Sequence, residues 1–151
     1  MKIRKATSDD LAAIRELLRD LDYPCSLELL ERRVTQMSED KAEDLLVAED
    51  GGKVLGVVSI HYIPQLPLEG DFARISYFCV HPTARGQGVG KTIEQEACRR
   101  AQSRGCDRLE LHCHSRRASA QSFYLAQGYM ESPKYFVKHI ECKRGAEAGL
   151  L

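Results

Sequence analysis

The sequence predicts an α/β fold: a mixed, mostly antiparallel sheet flanked by helices, with one parallel strand pair. Three observations predict it. Two apolar runs, Leu45–Glu49 and Val54–Ile60, flank Asp50-Gly51-Gly52-Lys53, which is a hairpin signal. An apolar run from Ile75 to Val80 passes through a glycine-rich turn into helical spacing over Thr92–Arg104. An alternating stretch, Arg108–His114, follows, so this part reads as strand, helix, strand, a parallel crossover. Amphipathic helical spacing precedes the hairpin.

Composition limits the function classes. The chain has 151 residues, 43% of them hydrophobic and 29% charged, as expected of one soluble globular domain, here placed over residues 1–142. Lys+Arg and Asp+Glu are 22 each, so the basic excess of a nucleic-acid binder is absent. No apolar run reaches the length of a membrane span, and Met1-Lys2-Ile3-Arg4-Lys5 turns polar too early for a signal peptide. The six cysteines (Cys25, Cys79, Cys98, Cys106, Cys113, Cys142) form no Cys-x-x-Cys pair and read as reduced thiols. Neither nucleic acid nor membrane is expected as a partner, and the expected location is the cytoplasm.

In chain order, Lys2–Ala6 reads as a short strand. Thr7-Ser8-Asp9-Asp10 supplies capping residues for a helix carrying Leu11, Ile14, Leu17, Leu18 and Leu21, which Tyr23-Pro24 ends. Leu27, Leu30, Val34 and Met37 space a second helix, read either as packing or as one wall of an acceptor pocket. After the hairpin, Pro64 and Pro67 break the chain into a loop up to Gly70, a plain connection or acceptor-site material. Phe72–Val80 is a strand. The helix after it buries Ile93, Ala97 and Ala101, and Gly105 suits its C′ position. Ser119–Ala126 reads as a helix closed by Gly128. Tyr129-Met130 and Tyr135–Ile140 read as closing strands around Ser132-Pro133, and the tail from Lys143 to Leu151 is expected to fray.

The chemistry concentrates in Arg85-Gly86-Gln87-Gly88-Val89-Gly90-Lys91-Thr92. Bare glycine backbone followed by a helix N-terminus offers N–H groups and partial positive charge to a phosphate. A Walker-type loop would need glycine where Arg85 stands, and a dinucleotide fingerprint would need it where Lys91 stands. A glycine turn with no ligand is the bland alternative. The pattern Arg/Gln-x-x-Gly-x-Gly/Ala fits in full on Arg85, Gly88 and Gly90. That stretch resembles the pyrophosphate-binding loop of the GNAT superfamily of acyl-CoA-dependent N-acetyltransferases. Independently, Ala120, Phe123-Tyr124 and Gly128-Tyr129 resemble that superfamily's C-terminal motif, in the expected order.

The resemblance implies acetyl-CoA as co-substrate, a primary amine as acceptor, and a cleft where two parallel strands, Ile75–Val80 and Arg108–Cys113, splay apart. The pantetheine arm would lie along Phe78, Cys79 and Val80, and the pyrophosphate on the N–H groups from Arg85 through Gly86, Gln87, Gly88, Val89 and Gly90 to Lys91. Ser119 and Ser122 would contact CoA or merely line a helix. Tyr124 falls at the family's general-acid position; a phenol with a pKa of about 10 still holds a proton at neutral pH. The N–H of Val80 or Cys79 would stabilise the oxyanion.

The amine needs a base, since with a pKa of ~10.4 roughly one molecule in 2,500 is free at neutral pH. Many relatives carry a glutamate on the strand before the glycine loop, whereas this strand reads Arg74-Ile75-Ser76-Tyr77-Phe78. Glu110, His112 and His114 would share one strand face, so a water relay through Glu110 or His112 is one reading and a solvated face the other. No metal is expected, although those three residues have metal-ligand chemistry. His61, His81 and His139 show no partner in the sequence. The stretch from His112 through Arg116 and Tyr124 to Tyr135 resembles the aminoalkylphosphonate acetyltransferase branch, in which light Arg116 or Arg117 would meet an anionic acceptor. Many relatives are dimers, and a homodimer is compatible with the resemblance. A small-molecule N-acetyltransferase is the leading reading; a protein or peptide N-acetyltransferase and a non-catalytic acyl-CoA sensor are the alternatives.

Overall fold

The computed structural model describes residues 1–132 and 134–141. Pro133, Cys142 and the tail from 143 to 151, with the expectations that fell on them, lie outside the described residues. Two compact units divide at Cys113/His114.

The first unit is a five-stranded sheet in sequential order: β1 (Lys2–Lys5), β2 (Glu43–Asp50), β3 (Lys53–Ile63), β4 (Phe72–Val80) and β5 (Arg108–Leu111). The first four strands pair antiparallel and β4–β5 is parallel, as the hairpin and crossover patterns predict. Helices α1 (Leu11–Asp20) and α2 (Leu27–Glu39) cover one face; α3 (Val89–Ser103) covers the other.

Alternation along the strands sorts side chains between the two faces. Val47, Val57 and Cys79 join Ile14, Leu17, Leu30 and Val34 beneath α1 and α2. Leu46, Val58, Ile60, Ala73 and Ile75 join Ile93, Ala97 and Ala101 beneath α3. The first turn before α1 is closed by a capping box. The Asp10 carboxylate accepts from the Thr7 N–H at 2.8 Å and from both Arg4 Nη atoms at 2.8 Å, so this buried carboxylate is ionised and paired.

Two features place the site. Ser59 is opposite Tyr77 and Ile60 opposite Ile75, so Ser76 is an extra residue, a bulge in β4. In addition β5 pairs only from Phe72/Arg108 to Ile75/Leu111, while β4 runs on to Val80. The expected strand Arg108–His114 is therefore corrected to Arg108–Leu111. His112, Cys113 and His114 alternate in sequence but lie past the last strand pairing, so the face shared by Glu110, His112 and His114 does not form as one strand face.

In the second unit, α4 (Ala118–Ala126) ends in a Schellman motif: Tyr129 N–H donates to Tyr124 O and Gly128 N–H to Leu125 O, both at 3.1 Å, with Gly128 at φ 93. The closing strands expected at Tyr129-Met130 and Tyr135–Ile140 are absent among the described residues. Alternation alone does not make a strand, because its backbone must find a pairing edge; Phe136 and Ile140 are 84% and 80% exposed.

Candidate active site

Beyond Ile75, β4 continues to Val80 past its last pairing with β5. Tyr77 N–H turns to Ser59 Oγ at 3.1 Å and His81 N–H to Leu55 O at 2.7 Å, both on β3. Alternation then directs Cys79 N–H to β3 as well and aims the N–H groups of Phe78 and Val80 away from β3. Five residues, 76 to 80, offer about 16 Å of edge.

That edge runs into the glycine loop. Gly86 and Gly88 have φ values of 75 and 84, which only glycine adopts without strain, and a Cβ on either would meet nothing within 4 Å. The loop backbone is thus open to approach from outside. Gly88 caps α3 without any side-chain hydrogen bond to the first turn, so helix donors at Val89, Gly90 and Lys91 stand free of a capping oxygen. The helix begins at Val89, three residues earlier than its apolar spacing predicts. Arg85 holds the loop's approach in place: Nε donates to Val80 O at 3.0 Å, Nη2 pairs with Asp20 at the end of α1, and its N–H points to Pro82 O at 3.4 Å. Gln87 Nε2 donates to Thr83 O at 2.9 Å. A cavity of ≈ 260 Å³ lies beside this tie, lined by Glu16, Leu17, Arg19, Asp20, His81 and Pro82.

On the sheet face that α1 and α2 partly cover, register aligns Glu43, His61, Arg74 and Glu110 across β2 to β5. Arg74 donates to Glu110 Oε1 from Nε at 2.9 Å and Nη2 at 2.5 Å, and Arg108 Nε reaches Oε2 at 3.2 Å. Burial works against the ionised form of Glu110, but Arg74 and then Arg108 outweigh it and hold the pKa below the usual carboxylate range. Glu110 is therefore a committed anion between two guanidiniums, both of which also lie over the Phe72 ring.

Next to this row, the bulge lets two successive residues turn to one face. Ser76 Oγ lies 2.5 Å from Ser59 Oγ and 2.5 Å from His61 Nε2, while the Tyr77 ring meets Tyr23, from the connection between α1 and α2, edge-on at 5.2 Å. His61 Nδ1 sits against Glu43 Oε2. That buried oxygen accepts no hydrogen bond among the described residues, and the imidazole is the group that stands beside it.

The second unit carries Tyr124, half-buried on α4, its ring 5.2 Å from Phe123 and 5.5 Å from Tyr129. Ser119 and Ser122 are exposed on the same helix, and Arg116 turns Nε back to His114 Nδ1 at 3.3 Å. Among the described residues, no three His, Cys, Asp or Glu side chains stand together as a metal-binding group.

Comparison with known proteins decides the family. The acetyltransferase (GNAT) family model matches residues 11–129, from the start of α1 to the end of the α4 cap. The chain belongs to the GNAT family. It is similar to an aminoalkylphosphonate N-acetyltransferase of Salmonella typhimurium, 30% identical over 92% of this chain and 91% of the relative. Among solved structures, a transcriptional regulator from Bacillus halodurans superposes with a TM-score of 0.85 at 28% identity, over 92% of this chain and 99% of that one. A GNAT family acetyltransferase of Staphylococcus aureus shares the fold, with a TM-score of 0.79 at 20% identity over 92% of this chain and 98% of that one. The GNAT chain is thus an N-acetyltransferase, of a family that uses acetyl-CoA and an amine acceptor.

The sequence-predicted cofactor residues from Phe78 to Lys91 form one continuous run of strand edge, turn and helix start. The sequence brought forward Glu110 but not Glu43 or His61, because these lie on other strands and only pairing register unites them with Arg74 and Glu110. Its one available sign was negative, the lack of a carboxylate between Arg74 and Phe78.

Proposed function

We propose that this enzyme transfers the acetyl group of acetyl-CoA to the primary amine of a small molecule carrying an anionic group. The observation that carries the reading is the course of β4 beyond its last β5 pairing, leading directly into a glycine-capped helix N-terminus. A pantetheine amide pairs with the N–H and C=O groups of Phe78 and Val80, and the pyrophosphate sits on the donors from Gly86 to Lys91, with Arg85 keeping that loop in place. Val80 is preferred to Cys79 as the oxyanion donor, because Cys79 N–H is turned toward β3.

The amine nitrogen attacks the thioester carbon, the carbonyl becomes an oxyanion, and the C–S bond breaks as the intermediate collapses. Tyr124 gives its phenolic proton to the departing thiolate. Ser119 and Ser122 are proposed contacts to CoA. The sequence offers a water path for the amine's proton through Glu110 or through His112, one residue past β5. Glu110, ionised between Arg74 and Arg108, suits orienting a water better than basicity. Two guanidiniums facing one carboxylate suit the recognition of an anionic acceptor, in keeping with the aminoalkylphosphonate activity named for the Salmonella relative.

The test is acetyl-CoA consumption, followed by chromatography, over aminoalkylphosphonates, polyamines, amino acids, aminoglycosides and short peptides. Turnover is expected with an anionic small amine. Tyr124→Phe should lower kcat by about 100-fold or more, with acetyl-CoA affinity kept. Turnover confined to peptides, or a Tyr124→Phe enzyme as fast as the parent, would overturn the corresponding part.

A further inference from the structure

We infer that Glu43, His61 and Ser76 form the proton relay that frees the acceptor amine; this deepens the proposed reaction and rests on it. The relay follows from one of the two directions the hydrogen bonds can take, the one that the position of Glu43 favours. Ser59 Oγ accepts from Tyr77 N–H at 3.1 Å and in this direction gives its own proton to Ser76 Oγ, 2.5 Å away. Ser76 then directs its proton to His61 Nε2, also at 2.5 Å. That requires Nε2 to be the bare nitrogen and Nδ1 to carry the hydrogen, which is the tautomer selected by the Glu43 carboxylate at Nδ1. The buried Glu43 Oε2 has no hydrogen-bond partner among the described residues, so a hydrogen on Nδ1 places a donor beside it, whereas the reverse direction sets a bare nitrogen against the carboxylate.

Placement gives the chain its use. Ser76 is exposed, directly follows the last β5 pairing at Ile75, and lies two residues, roughly 7 Å along the strand, before Phe78, where the proposed pantetheine contact begins. An amine approaching a thioester on that edge meets Ser76 Oγ. As the ammonium passes a proton to Ser76 Oγ, the serine proton moves to His61 Nε2, and the imidazolium is held by Glu43. The freed amine attacks the thioester, and the second proton shed by nitrogen replaces the one Tyr124 gave the thiolate. The imidazolium releases its proton to water, so one ammonium and one acetyl-CoA give one amide, one CoA thiol and one proton. The charged groups aligned with His61 are Glu43 on β2, Arg74 on β4 and, beyond it, Glu110 on β5 with Arg108 beside it. Ser76 is the residue that touches the amine; His61 and Glu43 act through it.

Two measurements on the full chain decide this. Nitrogen-15 spectra of the imidazoles, assigned with His61→Asn, should show neutral His61 protonated at Nδ1 and bare at Nε2; the opposite tautomer would overturn the relay. With whichever panel amine the parent enzyme acetylates, His61→Asn should lower kcat about 100-fold near neutral pH while leaving the acetyl-CoA KM unchanged. The deficit should narrow as the pH approaches the amine's own pKa, since free amine then arrives from solution. Ser76→Ala should lose rate, and Ser76→Thr, which restores a hydroxyl, should recover it. A His61→Asn enzyme with parental kcat and parental pH profile would overturn the relay. If the parent acetylates no amine at all, the proposed function falls, and the tautomer measurement still decides the hydrogen-bond direction by itself.

Discussion

Replacing Gly56 by alanine puts a methyl carbon 2.6 Å from Ile93 Cδ1, 3.0 Å from the Cys79 carbonyl oxygen and 3.7 Å from Val80 Cα. Gly56 lies on β3 opposite Val80, where α3 presses Ile93 onto the sheet, and Ile93 is only 1% exposed. Neither close neighbour yields readily, since one is a packed side chain and the other is backbone. Overpacking of this kind costs about 1–3 kcal/mol. With two contacts at or below 3.0 Å, the upper part of that range, ~2–3 kcal/mol, is expected. At about 2–4 °C per kcal/mol for a chain of this size, Tm should fall by roughly 4–12 °C. Ile93→Val removes the Cδ1 atom and alone costs about 0.5–1.5 kcal/mol. In the double variant the 2.6 Å contact is gone and the 3.0 Å contact stays, so the two losses should fall short of additivity by ~1 kcal/mol. The assay is denaturant unfolding of the parent, both single variants and the pair, read with and without acetyl-CoA. Additive losses, or a Gly56→Ala protein as stable as the parent, would refute the close approach of α3 to β3, on which the position of the glycine loop depends.

Two further outcomes follow from the geometry. Gly88→Ala meets no atom within 4 Å but holds φ at 84, so strain of about 1–2 kcal/mol should appear as a modest Tm loss, with acetyl-CoA binding weakened in titration calorimetry; undiminished affinity would remove the loop from the cofactor site. Acid should destabilise the fold in a defined window. The Asp10 pKa is lowered chiefly by the Arg4 hydrogen bonds, and Glu96 is lowered to about 2, chiefly by Arg99 and then, against some burial, by Arg100. Folded values below unfolded ones mean that this stability is full above the ordinary carboxylate range and is lost as pH falls through it toward about 2. Asp10→Asn should lower stability at neutral pH and flatten that acid slope, measured by urea unfolding at a series of pH values; an unchanged slope would count against the Arg4 pair.

Local signals were legible where local chemistry decides the outcome. Thr7 and Asp10 form their capping box, Asp50-Gly51-Gly52-Lys53 turns the hairpin, and Gly105 and Gly128 take left-handed φ values just past their helices, because each depends on residues within a few positions. The glycine loop and the spacing around Tyr124 carried the family for the same reason. Periodicity misled where tertiary pairing has the last word. The alternation from Arg108 to His114 and the apolar residues from Tyr135 to Ile140 look extended, but a strand exists only where a neighbour takes its hydrogen bonds.

By itself, then, the sequence determined the layered sheet, the phosphate-binding turn and the enzyme's family, all of which are written in short-range patterns of glycine, capping and apolar residues. Only the tertiary structure decided where β5 stops, that Ser76 is the bulged residue, and that Glu43, His61, Arg74 and Glu110 stand in one row. These depend on register between strands brought together from distant parts of the chain, and a shift of one residue would have turned every one of those side chains to the opposite face.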